Sequence, residues 1–388
     1  MCRISMNMKI KNKITVLYVC LDETLGGSTQ SLLDLIESIS SEIEPIVIVP
    51  RLGLAYEEFI SRGIECHIYP FIKLFEIKKN KLFDVIRYPW RWHIIKKNRF
   101  DYGCCRYIKK KLKGRKIDIV HSNTTPNDIG VLLAKKFNAK HVWHIREYCD
   151  LHFNFEIYGG ITRLQKLINA ATARVAISTA VKNHWKLTTD NTWILHDAVC
   201  HTSEICYQKI KEKFILFSAY NLTEAKGTRN AINAFAKSGL KNNGYKLKLM
   251  GNCDDSYRKS LLETISINNL TDAVEFIPFQ KDIKPFFSVA SAYIMASEYE
   301  GLGRVTAEAM FYGCPVIAYA SGGTLDLVKD GVTGYLYNNI GECAKIMNEV
   351  CFTDQETIII RAQNFVKDSL SHEIYGPKIL DIYKTILQ

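Results

Sequence analysis

The sequence predicts an α/β chain of two doubly wound domains facing each other, and three observations lead there. Short apolar runs of strand length alternate with amphipathic helical patterns through both halves of the chain. At 388 residues the chain is too long for one ordinary core, so two domains are expected. The third observation is the stretch 296–317. A buried strand from Ala292 to Ala296 runs into a loop with Glu300, Gly301 and Gly303, then into a helix carrying Glu308. Gly313 stops that helix, Pro315 prevents its resumption, and an apolar strand from Val316 to Ala320 follows. Glycines before a helix let backbone approach a ligand, and the helix end favours an anion. Two flanking carboxylates suit sugar or ribose hydroxyls. Chemistry alone therefore points to a phosphorylated sugar or a nucleotide at this stretch.

In chain order, Ile14 to Leu21 is a buried strand, too short and too soon ended by Asp22-Glu23 to be a signal peptide. The turn holding Gly26-Gly27 either admits a ligand or simply reverses the chain, and an amphipathic helix with Leu32, Leu33, Leu35, Ile36 and Ile39 follows. Without a Gly-x-Gly-x-x-Gly run, no nicotinamide cofactor is expected. Strands at Pro45 to Pro50 and Glu65 to Tyr69 flank a helix over Ala55 to Arg62. After an interruption the alternation resumes with Ile117 to His121, a helix to Phe137, and a strand from His141 towards Glu147. Ligands of open parallel sheets sit beyond the carboxyl ends of strands, so His121 and His144 are expected to face a cleft. Residues Asn154 to Gly160 read as a mobile loop, Leu164 to Ala173 as a helix, and Arg174 to Ser178 as a strand. The polar run His201 to Glu204 is the expected linker, dividing the chain into 1–200 and 201–370, with 371–388 as a terminal helix. The second alternation starts at Phe214 to Ser218. Lys226 stands just before the helix Asn230 to Ser238, where an anion could collect.

Composition narrows the classes. With 47% hydrophobic and 23% charged residues the chain is globular, and no apolar run reaches the ~20 residues of a membrane span. The 12 cysteines are scattered without metal-ligand spacing, which suits reduced thiols in the cytoplasm. The net charge of +11 is concentrated between Lys73 and Lys116, which holds sixteen Lys/Arg against three Asp/Glu. That local +13 leaves the rest of the chain near neutral, and aromatic residues such as Phe100, Tyr102 and Tyr107 are interleaved with it. Cations with amphipathic rings suit an anionic membrane surface, and a solvated helical face is the plainer alternative. No nucleic-acid motif accompanies the charge, so nucleic acid is not an expected partner.

At the motifs Lys226-Gly227, Ser297-x-x-Glu300-Gly-Leu-Gly303, Glu308-Ala-Met310, Gly313-x-Pro315-Val316 and Gly322-Gly323-Thr324, the second half resembles glycosyltransferase family 4 of the GT-B fold. The first half resembles it more loosely, at Gly26-Gly27, His144 and Ala176 to Ser178. The resemblance implies two Rossmann-like domains facing across a cleft, with the last helix packing back on the first. It implies a nucleotide-sugar donor, transfer of a hexose-type sugar with retention, and no metal, in keeping with the lack of an Asp-x-Asp motif. Glu308 would hold the ribose, Glu300 the transferred sugar, and the backbone of Gly301, Leu302, Gly303 and Arg304 the phosphates or sugar, joined by Lys226. The base would lie near Phe279, with His144, Gly26 and Gly27 approaching from the other domain. The leading expectation is a lipid-linked or polysaccharide acceptor of cell-surface glycan synthesis, and the basic segment, not the resemblance, is what suggests work at the inner face of the plasma membrane. One position departs from the family: Asn221 stands where an arginine normally grips the diphosphate, and an amide cannot replace a guanidinium. Arg304 is the expected substitute. The competing reading is a non-catalytic subunit that partners another glycosyltransferase.

Overall fold

The structure, a computed structural model, describes residues 13–71, 74–77, 90–151, 155–205 and 207–388. The first half runs β1 (Ile14–Val19), α1 (Gly27–Ser38), β2 (Ile43–Val49), α2 (Leu54–Ser61), β3 (Glu65–Ile68), β4 (Phe75–Ile77), α3 (Trp90–Lys111), β5 (Ile119–Ser122) and α4 (Ile129–Phe137). It continues with β6 (Lys140–Ile145), β7 (Phe155–Ile157), α5 (Gly160–Asn169), β8 (Ala173–Ala176), α6 (Thr179–His184) and β9 (Thr192–Ile194). The second half holds β10 (Glu212–Leu222), α7 (Thr228–Ser238), β11 (Lys246–Cys253), α8 (Asp255–Ile267), β12 (Val274–Ile277), α9 (Lys284–Val289) and β13 (Ala290–Met295). After these come α10 (Arg304–Phe311), β14 (Val316–Tyr319), α11 (Thr324–Leu327), β15 (Tyr335–Tyr337), α12 (Ile340–Phe352), α13 (Glu356–Leu370) and α14 (His372–Leu387).

Two parallel sheets result, ordered β3-β2-β1-β5-β6-β8-β9 and β12-β11-β10-β13-β14-β15. Their inner strands are near-continuous apolar runs because helices cover both faces; Val16 to Val19 and Ile46 to Val49 are fully buried. In each sheet the winding direction reverses once, between β1 and β5 in the first and between β10 and β13 in the second. Loops leaving the strands diverge at such a point and open a crevice. The last helix, α14, returns to the first sheet, where Tyr375, Ile379, Ile382 and Tyr383 share a core with Leu32, Leu35 and Ile36 of α1. Close approach requires Gly376 there, since a Cβ would lie 2.6 Å from the Ser38 carbonyl oxygen.

Two expectations are altered. The stretch taken as a mobile loop over Asn154 to Gly160 contains β7, paired antiparallel with β4; residues 152–154 lie outside the described residues. Its partner is some eighty positions away, so no local pattern announces it. Of the basic-aromatic segment, residues 73 and 78–89 lie outside the described residues, and α3 forms much of the remainder. Cys104, Cys105, Ile108 and Leu112 of α3 enter the core beside Leu17 and Leu133. Lys97 is buried under the helix between Asp101 and Asp128. Lys96, Arg99, Arg106 and Lys109 to Lys111 face outward with Phe100, Tyr102 and Tyr107.

Candidate functional site

The loop after β10 and the loop after β13 flank the second switch point, and a side chain from each meets the other there. Lys226 Nζ lies 2.7 Å from Glu300 Oε2, with the two side chains 28% and 17% exposed. Thr223 accepts the Lys226 N–H through its hydroxyl and so closes the short turn that carries the lysine. Gly227 follows in the left-handed region at φ +77°, where a Cβ would run into the Ala296 carbonyl oxygen; no other residue fits. Gly303, at φ +90°, caps α10, so the first amides of that helix point at the same crevice. Leu302 is 2% exposed and offers the crevice only its backbone. The Gly323 N–H donates to the Glu300 carbonyl at 2.8 Å, which fixes the Glu300 loop from behind. Asn221 is the penultimate residue of β10 and is exposed. Phe279 is 42% exposed and meets the equally open ring of Tyr220 edge-on at 4.9 Å. Sequence reasoning had Phe279 but not Tyr220, whose position at the end of a strand was the available signal.

Glu308 lies one helical turn after Arg304 on α10. Burial pushes its carboxyl up to about 7; Arg304 opposes the shift and Asp34 adds to it. Arg304 itself is a correction. Its guanidinium does not face the crevice between Lys226 and Glu300. It crosses to the first domain, donating to Asp34 Oδ2 at 2.7 Å, Ser31 Oγ at 3.1 Å and the Ala198 carbonyl at 2.8 Å. Asp197 stands 3.9 Å away, accepts from Ser31 at 2.6 Å and pairs with Arg146. Burial alone would lower the Arg304 pKa, but these carboxylates outweigh it and hold the group charged. Arg304 therefore ties α10 to α1 and to the segment that crosses between domains. Asp34 and Asp197, the acids that draw it away, gave no signal in the sequence.

His144 is the second correction. Tyr18, His121 and His144 fall on one face of the first sheet by strand register, and α1 and α14 cover that face. Both histidines are 0% exposed, with rings 5.5 Å apart. His121 Nδ1 bonds the Tyr383 hydroxyl at 2.6 Å, and His144 Nδ1 faces Arg146 at 3.2 Å. Burial, with help from Arg146, holds both pKa values well below the usual range, so the rings are neutral. A ring so placed supports the loop beyond it and does not reach the cleft.

That loop, Arg146 to Asp150, forms the wall opposite Glu300. A Cβ on Gly301 would run into the Arg146 carbonyl oxygen, and one on Gly322 would lie 3.2 Å from the Tyr148 hydroxyl. Asp326 of α11 also crosses the interface, accepting the Thr179 N–H at 2.7 Å and lying 3.1 Å from His196. Burial would raise its pKa, but these two partners prevail and lower it. Gly26 and Gly27 begin α1 at the first switch point, where the Ser28 hydroxyl donates to Asp22.

Comparison with known proteins agrees with this geometry. Residues 206–350 match the family described as glycosyl transferases group 1. An uncharacterized glycosyltransferase of Haemophilus influenzae is 28% identical over 268 residues, covering 66% of this chain and 72% of that protein. The N-acetyl-alpha-D-glucosaminyl L-malate synthase of Bacillus anthracis is 23% identical over 351 residues, covering 84% and 87%. Among solved structures, Anabaena HepE in complex with UDP superposes with a TM-score of 0.78 at 18% identity, covering 96% of this chain and 100% of that one. Two parallel-sheet domains meeting at their switch points, with these relatives, make the chain a glycosyltransferase of the GT-B fold.

Proposed function

We propose that the chain transfers a hexose-type sugar, with retention, from a nucleoside diphosphate sugar to a hydroxyl of a lipid-linked or polysaccharide acceptor in cell-surface glycan synthesis. The observation that carries this reading is the Lys226–Glu300 pair straddling the second switch point at the start of α10. A departing nucleoside diphosphate gathers charge on its phosphates, and a fixed ammonium with helix-end amides stabilises it without reorganising. A diphosphate competes with Glu300 for Lys226, which frees the carboxylate to accept hydroxyls of the transferred sugar. Tyr220 and Phe279 supply exposed rings for the base, and Glu308 accepts the ribose hydroxyls. The structural relative HepE has been solved with UDP and with UDP-glucose, which supports a uridine donor. No metal is required on this reading, since Lys226 and the α10 amides provide the compensating charge.

The outward cations and rings of α3 support work at an anionic membrane surface from the cytoplasmic side. No helix among the described residues is long and apolar enough to cross a membrane. Flotation with anionic and with neutral vesicles tests this clause. Binding to neither removes it and leaves the transfer reading intact.

A thermal-shift panel of nucleotide-sugars and free nucleotides tests the main reading, because a ligand of the folded form raises stability by mass action. A uridine diphosphate sugar should give the largest shift, and no shift with any member would overturn the proposal. The exposed Asn221, where the family resemblance calls for arginine, is what favours the second reading of a non-catalytic subunit. Slow donor hydrolysis by the purified protein would exclude that reading.

A further inference from the structure

Beside the Glu300 loop, on the face of the second sheet covered by α7 and α12, a cavity of ≈ 470 Å³ opens at the carboxyl ends of β13, β14 and β15. That volume is in the range of small-molecule sites, about 300–1,000 Å³. The space exists because the residues that meet there are small: Ala234 on α7, Ala296 just past β13, and Gly341 and Cys343 on α12. Ala234, Ala296 and Cys343 form a buried apolar floor. Tyr337 backs it, its hydroxyl donating to the Met295 carbonyl at 3.4 Å, and Tyr319 meets the Tyr337 ring edge-on at 5.5 Å. Tyr319 is half-buried, and its hydroxyl makes no hydrogen bond among the described residues. Asn230, Glu298 and Asn338 form an exposed rim.

The charges around this cavity narrow what it can hold. No lysine or arginine lines it; Lys237 stands beside Gly341, outside the lining. The start of α12 would favour an anion, but Glu342 already places a carboxylate in its first turn. Asn339 is taken up there, accepting the Glu342 N–H at 3.0 Å and donating to its carboxylate at 2.7 Å. A phosphate thus finds nothing to compensate it. A cation needs acceptors alone, whereas the rim amides present donors beside acceptors. A neutral sugar matches both features. Its C–H face suits a ring and an alanine floor, and its hydroxyls, each donor and acceptor, suit amides and a carboxylate.

We propose that this cavity is a second saccharide site, taking one neutral sugar unit with its ring against Tyr319 and its hydroxyls on Asn230, Asn338 and Glu298. One wall is shared with the donor crevice. The Ala296 carbonyl oxygen is what a Cβ on Gly227 would strike, and the Ser297 hydroxyl donates to the Ala225 carbonyl at 3.4 Å, so the segment lining the cavity also holds the turn that carries Lys226. Glu300 follows Glu298 by two positions. A glycan anchored in the cavity keeps its free end at high local concentration near the point of transfer. That the sugar belongs to the glycan being built rests on the glycosyl-transfer reading above; that a sugar binds does not.

Titration calorimetry on the full chain, with and without saturating UDP, tests the site. The probes are methyl glycosides of glucose, galactose and N-acetylglucosamine, with maltotetraose, cellotetraose and chitotetraose as chains of the same kinds of unit. At least one probe should bind with a Kd below ~10 mM, and UDP should not displace it. Tyr319→Ala should weaken that binding at least ~5-fold, and so should the double variant Asn230→Ala/Glu298→Ala, whose exposed positions leave the fold intact. UDP affinity should stay within ~3-fold of wild type in both. A tetrasaccharide at least ~5-fold tighter than the methyl glycoside assigns the site to a glycan chain, and a smaller difference assigns it to a free sugar. No binding by any probe, displacement by UDP, or a loss below ~5-fold in the double variant overturns the proposal. A chain that binds these sugars but no UDP or nucleotide-sugar loses the donor reading and keeps the cavity assignment.

Discussion

At the switch point of the second sheet a lysine and a glutamate close on one another across the crevice; at that of the first, two carboxylates, Asp22 and Glu147, share the space with the donors of Thr125. The backbone arrangement is alike in both: parallel strands wind outward from a central gap, and the loops at their carboxyl ends supply the side chains. The difference lies in charge. The second crevice can compensate an anion, and the first repels one. One architecture used twice thus separates the two substrates of the proposed reaction, diphosphate on one side and neutral hydroxyls on the other. The glycines decide how near the two crevices come, since Gly301 and Gly322 are where the first domain's loop rests.

The largest expected effect breaks the comparison on the donor side. Glu300→Gln keeps the shape of the loop and removes the charge that partners Lys226. Transfer should fall ~10³-fold, about 4 kcal/mol of transition-state stabilisation, while UDP affinity stays within ~3-fold by calorimetry. Equal losses in both would place Glu300 on the nucleotide instead of the sugar.

Next comes the pair of cations. Arg304→Ala strands Asp34 at a buried interface, and stability should drop about 3 kcal/mol in urea melts, with UDP affinity changed less than ~3-fold. Lys226→Ala should do the reverse, leaving stability nearly unchanged because the side chain is partly exposed, and weakening UDP ~10 to 50-fold. The sequence-based expectation has Arg304 as the stronger phosphate ligand. A larger affinity loss in Arg304→Ala would restore it and show that the guanidinium exchanges its partners on α1 for the diphosphate.

How much of this was legible differs between the halves. In the second domain the site is nearly contiguous: Glu300 to Gly303 and Lys226 lie in two loops, each announced by a glycine before a helix, and Glu308 lies on the helix that follows the first of them. Periodicity gave most strands of the two large sheets because that signal is local, whereas the return of α14 to the first domain was expected only from the family resemblance. In the first domain the residues around the switch point come from three loops, with Asp22 more than a hundred positions before Thr125 and Glu147. Nothing local tells that Glu147 stands at that switch point and His144 does not, and the histidine was the expected group. Strand register decides the matter: His144 is on the face closed by α1 and α14, a packing made by the far end of the chain. Arg304 was misjudged for a related reason. Its position at a helix start invites a phosphate, but Asp34 and Asp197 were visible as its partners only once the domains were placed together.

The smallest effect sharpens the comparison at its edge, where Glu308 is flanked by a charge from each domain. Its carboxyl sits at about 7 in the folded protein, against the 4.5 of an unperturbed glutamate. Below pH 4.5 the group is protonated in both folded and unfolded chains and contributes nothing to the pH dependence. Between about 4.5 and 7 the unfolded chain loses its proton first, so wild-type stability declines as pH rises through this window and stays lower above it. Partial exposure reduces the full value of the shift to roughly 1–2 kcal/mol. Glutamine cannot ionise, so Glu308→Gln should gain stability relative to wild type between pH 5 and pH 8, read as a widening gap in urea midpoints. Glu147 titrates in the same range in both proteins and cancels from the difference. A gap that stays constant would mean that Arg304 outweighs burial and keeps Glu308 ionised throughout. Arg304 would then be as much a partner of Glu308 on its own helix as of Asp34 across the cleft.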